Sequence, residues 1–192
     1  GGGDPVKVAV GTAIIAMLAH LDGSGASTFL IAVPAMLPIY DKLGMDRKVL
    51  TCIVALGAGT MNMLPWGGPT LRAATSLQLN MTDLFNPVIP AQIVGLITVL
   101  FFSYWLGRKE RARIGVGTIQ AEDLVTADAL KINELKRPNL VWINVLVTVV
   151  AIVALVEGKF IPLPVVFMLA LVVALVINYP DVKLQQERIV AQ

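Results

Sequence analysis

Five apolar runs separated by short polar intervals make up most of the chain. They cover residues 6–40, 49–79, 88–106, 140–156 and 162–179. The last three runs come close to the ~20 residues that a spanning helix needs, so each predicts one such helix. The first two runs are longer, and each contains a stretch that is polar or disfavours a helix. The pattern predicts an all-α membrane protein with about three plain spanning helices.

The first apolar run is interrupted by Asp22-Gly-Ser-Gly-Ala-Ser-Thr28, which we call the first break. Its arms, residues 6–20 and 29–40, would be ~22 Å and ~18 Å long as helices, shorter than the ~30 Å hydrocarbon core. Two short arms around a glycine-rich tip indicate a re-entrant helical hairpin. The alternative is a loop between two ordinary helices, in which Ser27 or Thr28 is only an N-cap.

The second apolar run contains a cluster of proline and glycine at residues 65–69. Because both residue types disfavour a helix interior, we predict one transmembrane helix over residues 49–79 that is broken at this cluster. The free backbone groups of a broken helix are tolerated where they line a protein cavity. We therefore predict that residues 62–70, the second break, meet the first break within the membrane and form half of a transport site.

The two breaks contain the chemical groups of a binding site. Hydroxyls, a carboxylate and exposed backbone suit a small cation or, beside a helix N-terminus, the carboxylates of an anion. Arg72, about a turn beyond the second break, is either a functional charge or a side chain that reaches outward to headgroups. The candidate substrate- and ion-binding residues are Asp22, Gly23, Ser24, Gly25, Ser27, Thr28, Asn62, Trp66, Gly67, Gly68, Thr70 and Arg72, with Asp22 also the candidate metal ligand.

The basic residues of the polar intervals indicate the orientation. They cluster in residues 41–48, 107–138 and 180–192, whereas residues 80–87 contain none and the interval after 156 contains only Lys159. A hairpin followed by four crossings puts all three clusters on one face, which the positive-inside rule makes cytoplasmic. Two full spans in place of the hairpin would keep this alternation. We predict a multi-pass protein of the plasma (inner) membrane with its basic loops in the cytoplasm.

Composition narrows the function classes. Hydrophobic residues make up 56% of the chain and charged residues 15%, against ~25% charged in ordinary globular domains. A net charge of +2 without a basic block gives no reason to expect a nucleic-acid partner. The single cysteine, Cys52, is interpreted as a small buried hydrophobe. We predict no enzyme, because Ser24 lacks the spacing of a nucleophile elbow, and we interpret His20 as a polar residue at a helix end.

The two breaks resemble those of the citrate–divalent-metal/proton symporter family (CitMHS) of the ion transporter superfamily. The similarity is carried by Leu21-Asp-Gly-Ser-Gly-Ala-Ser-Thr28, Ala35-Met-Leu-Pro-Ile-Tyr40, Met61-Asn-Met-Leu-Pro-Trp-Gly-Gly-Pro-Thr-Leu-Arg-Ala-Ala-Thr75 and Leu106-Gly-Arg-Lys-Glu-Arg111. It is close over residues 1–114 and rests on hydropathy beyond them. It departs from the family at Ser24, where other members often carry a second acidic residue.

This resemblance implies a secondary active transporter for citrate, carried with Mg²⁺ or Ca²⁺ and coupled to protons, with no permanently bound cofactor. It also implies a homodimeric full-length protein that moves like an elevator. The alternatives are a transporter of another organic anion, such as a dicarboxylate, and a membrane scaffold subunit that does not transport. Asp22 is the candidate proton or metal carrier, and Arg72 is the candidate partner of a substrate carboxylate.

The resemblance further implies an inverted repeat, in which each half pairs a hairpin with a broken helix. Residues 1–114 would be the first-repeat core, with the hairpin at 6–40, the broken helix at 49–79 and a spanning helix at 88–106. A cytoplasmic loop over 107–138, amphipathic at 118–136, would join it to the start of a second repeat at 139–192. Because no second glycine-rich break follows Leu140, we expect the chain to be half of such a transporter and part of a longer polypeptide.

Overall fold

The computed structural model describes residues 3–117, 140–157 and 162–190. Every regular element in these ranges is a helix, which confirms the predicted all-α class. The chain divides into two compact units, Gly1–Leu130 and Lys131–Gln192, and each is described by itself.

The helices of the first unit begin at residues that satisfy their free backbone groups. The Asp4 side chain accepts a hydrogen bond from the backbone N–H of Val6, and Ser24 and Asp46 cap the next two helices in the same way. One-turn 3₁₀ segments lie at His20–Asp22 and Asn86–Val88. The α-helices are α1 Pro5–Ala19, α2 Gly25–Leu43, α3 Arg47–Met61, α4 Gly68–Leu77, α5 Met81–Phe85 and α6 Ile89–Ile114.

Helix α1 is the centre of this unit and contacts α2, α3 and α6. Its residues Ala9, Ala13 and Ala16 are fully buried, and such small residues let neighbouring helices approach closely. The α2 helix runs antiparallel to α1, since His20 beyond the end of α1 meets Thr28 near the start of α2, whereas the Thr12 hydroxyl further back in α1 lies 3.2 Å from that of Tyr40 near the end of α2. The α6 helix also runs antiparallel to α1, since Gly107 near its end lies against Val6, and α3 runs parallel to α1, since Gly57 near its end lies against Ala16.

The α2 helix is longer than the sequence suggested. We predicted a short arm over residues 29–40, but α2 contains 19 residues and is ~28 Å long. That prediction was wrong because α2 also includes residues 25–28 of the first break and ends only before Gly44, which has φ +69°. The stretch Pro5–Asp22 is also helical throughout, so both arms approach the hydrocarbon thickness. The re-entrant hairpin therefore stays a prediction.

The second apolar run is interrupted between Met61 and Gly68, where the break was predicted. Successive tight turns replace the helix there, including one in which the Gly67 N–H donates to the Leu64 carbonyl at 2.9 Å. Helix α4 restarts with Pro69 in its first turn, where the missing N–H of proline removes no helical hydrogen bond.

The α6 helix continues beyond Leu106 to Ile114, so the predicted loop begins later than residue 107. Two contacts support this extension. The buried Glu110 carboxylate accepts a hydrogen bond of 2.8 Å from the Asp46 backbone N–H, and Arg113 pairs with the same carboxylate. An ion pair at spacing i, i+3 stabilises the last turns of a helix.

The interval over residues 80–87 is also more regular than the predicted polar turn. It contains α5 and the 3₁₀ segment that leads into α6. The Asn80 carbonyl accepts from the Leu84 N–H at 3.1 Å, and Phe85 is buried. Although the sequence predicted a polar turn here, the segment is therefore held in place by the burial of an apolar side chain.

The described part of the second unit contains α7 Val141–Glu157, α8 Leu163–Asn178 and α9 Val182–Val190. The α7 and α8 helices form an antiparallel pair, and Asn144 and Asn178 exchange two amide hydrogen bonds of 2.8 Å and 2.7 Å at its open end. Helix α9 lies in the predicted charged tail and begins where Asp181 accepts from the Lys183 N–H. The predicted amphipathic segment 118–136 and the turn containing Lys159 lie outside the described residues.

Several of these helices have the character of membrane spans. The stretches Pro5–Asp22 and Asp83–Ile114 have mean hydropathies of 1.4 and 1.9 over spanning-length windows, and α7 and α8 are shorter apolar helices. Large apolar side chains, such as Phe101 at 62% exposure, cover the outer face of α6. Cys52 is exposed on the outer face of α3, so the expectation of a buried hydrophobe was wrong. The apolar run around it did not distinguish the two cases, because residues of a membrane helix can face lipid as well as protein.

Candidate functional site

The first break forms a tight turn between α1 and α2. The exposed Asp22 carboxylate accepts a hydrogen bond of 2.8 Å from the Ser24 N–H, and the Gly23 N–H donates to the His20 carbonyl at 2.9 Å. Gly25 is the first residue of α2, and the Ser27 N–H lies 3.4 Å from the Ser24 hydroxyl. The turn presents one carboxylate and two partly exposed hydroxyls together.

Gly23 brings the first break into contact with the second. Its φ is +78°, and a Cβ atom there would lie 3.0 Å from the Trp66 carbonyl oxygen and 3.2 Å from the Trp66 ring. At Gly67 a Cβ atom would lie only 2.6 Å from the Asn62 carbonyl oxygen, so a side chain would force the second break open. Both glycines are required by a close approach of backbone to backbone.

Trp66 joins the two breaks by a hydrogen bond. Its indole N–H donates to the Leu21 carbonyl at 2.8 Å. This carbonyl lies just beyond α1, where the helix has ended and no following turn supplies an N–H to bond it. The indole therefore satisfies a backbone group of the first break with a side chain of the second.

His20 forms the second connection between the breaks. The side chain is fully buried, its Nδ1 lies 2.7 Å from the Thr28 hydroxyl, and its Nε2 lies 3.1 Å from the Asn62 side-chain oxygen. The Thr28 hydroxyl also lies 2.9 Å from the Ser24 carbonyl. Since a hydroxyl has one proton, it donates either to that carbonyl or to the imidazole, and the tautomer of His20 decides which.

The sequence-based interpretation of His20 as a simple polar helix end missed this role. One signal was available in the sequence, because a histidine inside an apolar, membrane-embedded segment is rare and usually pairs with another polar group. Its two partners lie 8 and 42 residues further along the chain, so only the fold brings them to the imidazole.

Thr70 and Arg72 lie on α4, apart from the first break. Among the described residues, the structure shows no hydrogen bond or ion pair between Arg72 and the first break; its guanidinium instead lies beside Gly68 at the start of α4. Thr70 lines a cavity of about 450 Å³. The other residues lining this cavity are Gly59, Asn62, Met63, Pro69, Ala73, Leu84, Phe85 and Val88.

Apolar helices of spanning character, interrupted at two polar breaks that contact each other, are typical of a membrane transport protein. The chain matches the CitMHS family, described as "Citrate transporter", over residues 1–189. The chain therefore belongs to the CitMHS citrate transporter family, whose members are transporters and not enzymes.

Curated relatives from Bacillus subtilis (strain 168) match almost the whole chain. It is 50% identical to a "Citrate transporter" over 189 residues, covering 98% of this chain and 43% of that protein. It is 42% identical to a "Mg(2+)/citrate complex secondary transporter" over 190 residues, covering 98% of this chain and 44% of that protein. The chain thus spans less than half the length of these relatives. No solved structure matches it.

Proposed function

We propose that the chain is part of a secondary active transporter that carries citrate as a complex with a divalent cation and is driven by protons. The observation that carries this proposal is the junction of the two breaks, where His20 joins Thr28 to Asn62 inside an apolar helix bundle. Irregular backbone at membrane depth is tolerated around a binding site, and transporter sites are built from such interrupted helices. The names of the relatives, a citrate transporter and a Mg(2+)/citrate complex transporter, support the substrate class.

The first break has the chemistry to receive the cation of the complex. Mg²⁺ and Ca²⁺ take six or more oxygen ligands, carboxylates and neutral oxygens among them. Asp22 offers a carboxylate, and Ser24 and Ser27 offer hydroxyls in the same turn. Citrate would supply further oxygens from its own carboxylates, so Mg²⁺ or Ca²⁺ would be cargo. Asp22 is our candidate for the residue that carries either the cation or the proton.

The start of α4 has the chemistry to receive a carboxylate. Gly67 occupies the N-cap without a side-chain cap, so the first turn presents backbone N–H groups and the positive end of the helix dipole. The Arg72 guanidinium lies beside Gly68 in the same turn. We propose that this turn, with Arg72, binds a carboxylate of the substrate.

The depth of the second break, measured along the neighbouring helix α6, supports a site inside the membrane. Gly107 packs against Val6 at one end of α1, and Gln92 contacts Met61 beside the second break. The separation of these two positions corresponds to ~22 Å of helix. Lys109 lies over the Trp105 ring at 3.8 Å, which suits the headgroup level. From that end, the second break would lie about three quarters of the way through a ~30 Å hydrocarbon core.

The same proposal includes the wider architecture. The protein would be a multi-pass protein of the plasma (inner) membrane with its basic loops in the cytoplasm, and a homodimer at full length. Residues 1–114 would be the first-repeat core, including a re-entrant hairpin over 6–40, and α7 and α8 would start the second repeat. An organic anion such as a dicarboxylate is the alternative substrate, and a membrane scaffold without transport is the alternative function.

Uptake of radiolabelled citrate into cells that express the full-length transporter tests the function. We expect uptake that depends on Mg²⁺ or Ca²⁺, collapses with a protonophore, and is lost in Asp22→Asn at equal expression. Asp181→Asn is the matched control, because Asp181 caps α9 outside the breaks and asparagine also caps helices. Normal uptake by Asp22→Asn would reject its assignment. Uptake of a dicarboxylate but not citrate would establish the alternative substrate, and uptake of neither would favour the scaffold.

A further inference from the structure

Gln92 has a polar group that the fold leaves without a partner. Its side chain is buried, with 6% of the residue exposed, and its amide nitrogen lies 3.8 Å from the Met61 sulfur, a weak acceptor. Within the part of the chain that the structure describes, the amide oxygen has no hydrogen-bond partner. If the amide were turned over, the nitrogen would take that position, so one polar atom lacks a strong partner in either orientation.

Such a group is costly in a membrane helix. A buried amide without a hydrogen bond loses its hydration and gains nothing in return, and this cost is not relieved by lipid. Leucine or methionine would fill the same space without it. A polar side chain inside a membrane-embedded helix is therefore expected to have a function and to face a protein cavity.

The position of Gln92 connects it with the second break. Met61, its contact, directly precedes Asn62. Val88, about one turn earlier in the 3₁₀ segment that leads into α6, lines the same cavity as Asn62 and Thr70. Helix α6 is held close to the end of α3 at this level, since a Cβ atom on Gly95 would lie 2.8 Å from the Thr60 methyl group. Gln92 thus lies about one helical turn beyond a residue that lines the cavity, on a helix that was not among the predicted site elements.

We infer that Gln92 is a specificity-determining residue of the substrate site and that the transported complex supplies its missing partner. An amide oxygen accepts from a hydroxyl or ligates a hard cation, so the complementary group is the hydroxyl of a hydroxycarboxylate or the divalent cation bound to it. This inference rests on the proposed function. It adds α6 as a third wall of a site otherwise formed by the two breaks.

The test is Gln92→Met in the full-length transporter, because methionine conserves the volume and removes both polar atoms. We expect the KM for citrate uptake in the presence of Mg²⁺ to rise at least tenfold. The thermal midpoint of the purified protein without substrate should be unchanged or higher, whereas the upward shift of that midpoint on adding citrate and Mg²⁺ should largely disappear. Thr98→Val on the exposed face of α6 is the control and should change neither KM nor the shift.

Gln92→Glu separates recognition from packing, because it retains an acceptor oxygen but buries a carboxylate. If Gln92 contacts the complex, the KM of Gln92→Glu should lie nearer to that of the wild type than the KM of Gln92→Met does. If Gln92 is only structural, Gln92→Met should keep the wild-type KM and ligand-induced shift, which would overturn the inference. Uptake of citrate is then compared with uptake of tricarballylate, which lacks the hydroxyl. If Gln92→Met loses the wild-type preference for citrate, the partner of Gln92 is the hydroxyl. If Gln92→Met keeps this preference but its uptake depends differently on Mg²⁺, the partner is the cation.

The two proposals fail in different ways. Absence of citrate uptake by the wild-type transporter would reject the proposed function. Wild-type uptake together with an unchanged KM in Gln92→Met would reject this inference alone.

Discussion

The junction between the breaks can be tested by an interaction energy between His20 and Asn62. These side chains belong to different breaks and meet at 3.1 Å, and the imidazole is completely buried. In His20→Ala, two hydrogen bonds are lost at ~1 kcal/mol each, and the space of the imidazole is left partly empty. We expect His20→Ala to lower the free energy of unfolding by ~2–4 kcal/mol. Asn62→Ala should cost ~1 kcal/mol, since it removes one of these bonds and Asn62 is only half-buried.

A double-mutant cycle isolates the contact from these individual costs. Once Asn62 is absent, replacing His20 no longer removes the bond between them, so the double variant should be more stable than the sum of the single effects by ~1 kcal/mol. The measurement is equilibrium unfolding of the purified full-length protein in mixed detergent micelles, followed by tryptophan fluorescence. The control cycle combines His20→Ala with Thr98→Val, an exposed change on α6, and should be additive within ~0.5 kcal/mol.

Additivity in the His20–Asn62 cycle would refute the reasoning. It would mean that the imidazole stabilises each break separately and does not connect them. A coupling of the expected size, with loss of citrate uptake in both single variants, would support the junction as the structural basis of the site.

Two further stability predictions use matched pairs of residues. Gly23→Ala should lower the free energy of unfolding by ~1–3 kcal/mol, because φ is +78° and a Cβ atom would press against a carbonyl of the second break. Its control, Gly11→Ala, lies in open space within α1 and should be neutral or stabilising. Glu110→Gln should lower the free energy of unfolding by ~1–3 kcal/mol, because the buried carboxylate accepts from a backbone N–H and from an arginine. Its control, Asp41→Asn, should cost less than ~1 kcal/mol, because the side chains of Asp41 and its partner Arg47 are 42% and 70% exposed. Denaturant midpoints measure both comparisons, and equal costs within either pair would contradict them.

The features that the sequence predicted well are those with local causes. Proline and glycine at residues 65–69 end a helix by their own backbone preferences, so the interruption between Met61 and Gly68 was visible without a fold. The apolar runs of α7 and α8 were likewise visible as hydropathy alone. The family was recognisable because the two breaks, which are local stretches of sequence, carry much of the similarity to it.

The features that the sequence did not predict depend on distant neighbours. The predicted arm began only at residue 29, yet α2 starts at Gly25 within the first break and continues through Pro34 and Pro38, because capping at its ends and packing on α1 outweigh the loss of single hydrogen bonds. The extension of α6 depends on Glu110, which bonds to a residue 64 positions away. Gln92 was passed over as one polar residue in an apolar run, since its burial and its missing partner become visible only in three dimensions.

An account of satisfied polar groups separates the residues that build the junction from those that remain for a ligand. His20, Thr28 and the Trp66 indole satisfy one another or nearby carbonyls, and their contacts hold the breaks together whether or not substrate is present. The Asp22 carboxylate is exposed, the N-terminus of α4 has no side-chain cap, and the Gln92 oxygen has no partner among the described residues. These three groups differ in charge and lie on different elements. Under the proposed function, one ligand that meets all three groups would combine a cation or hydroxyl with carboxylates, and a metal–hydroxycarboxylate complex has that combination.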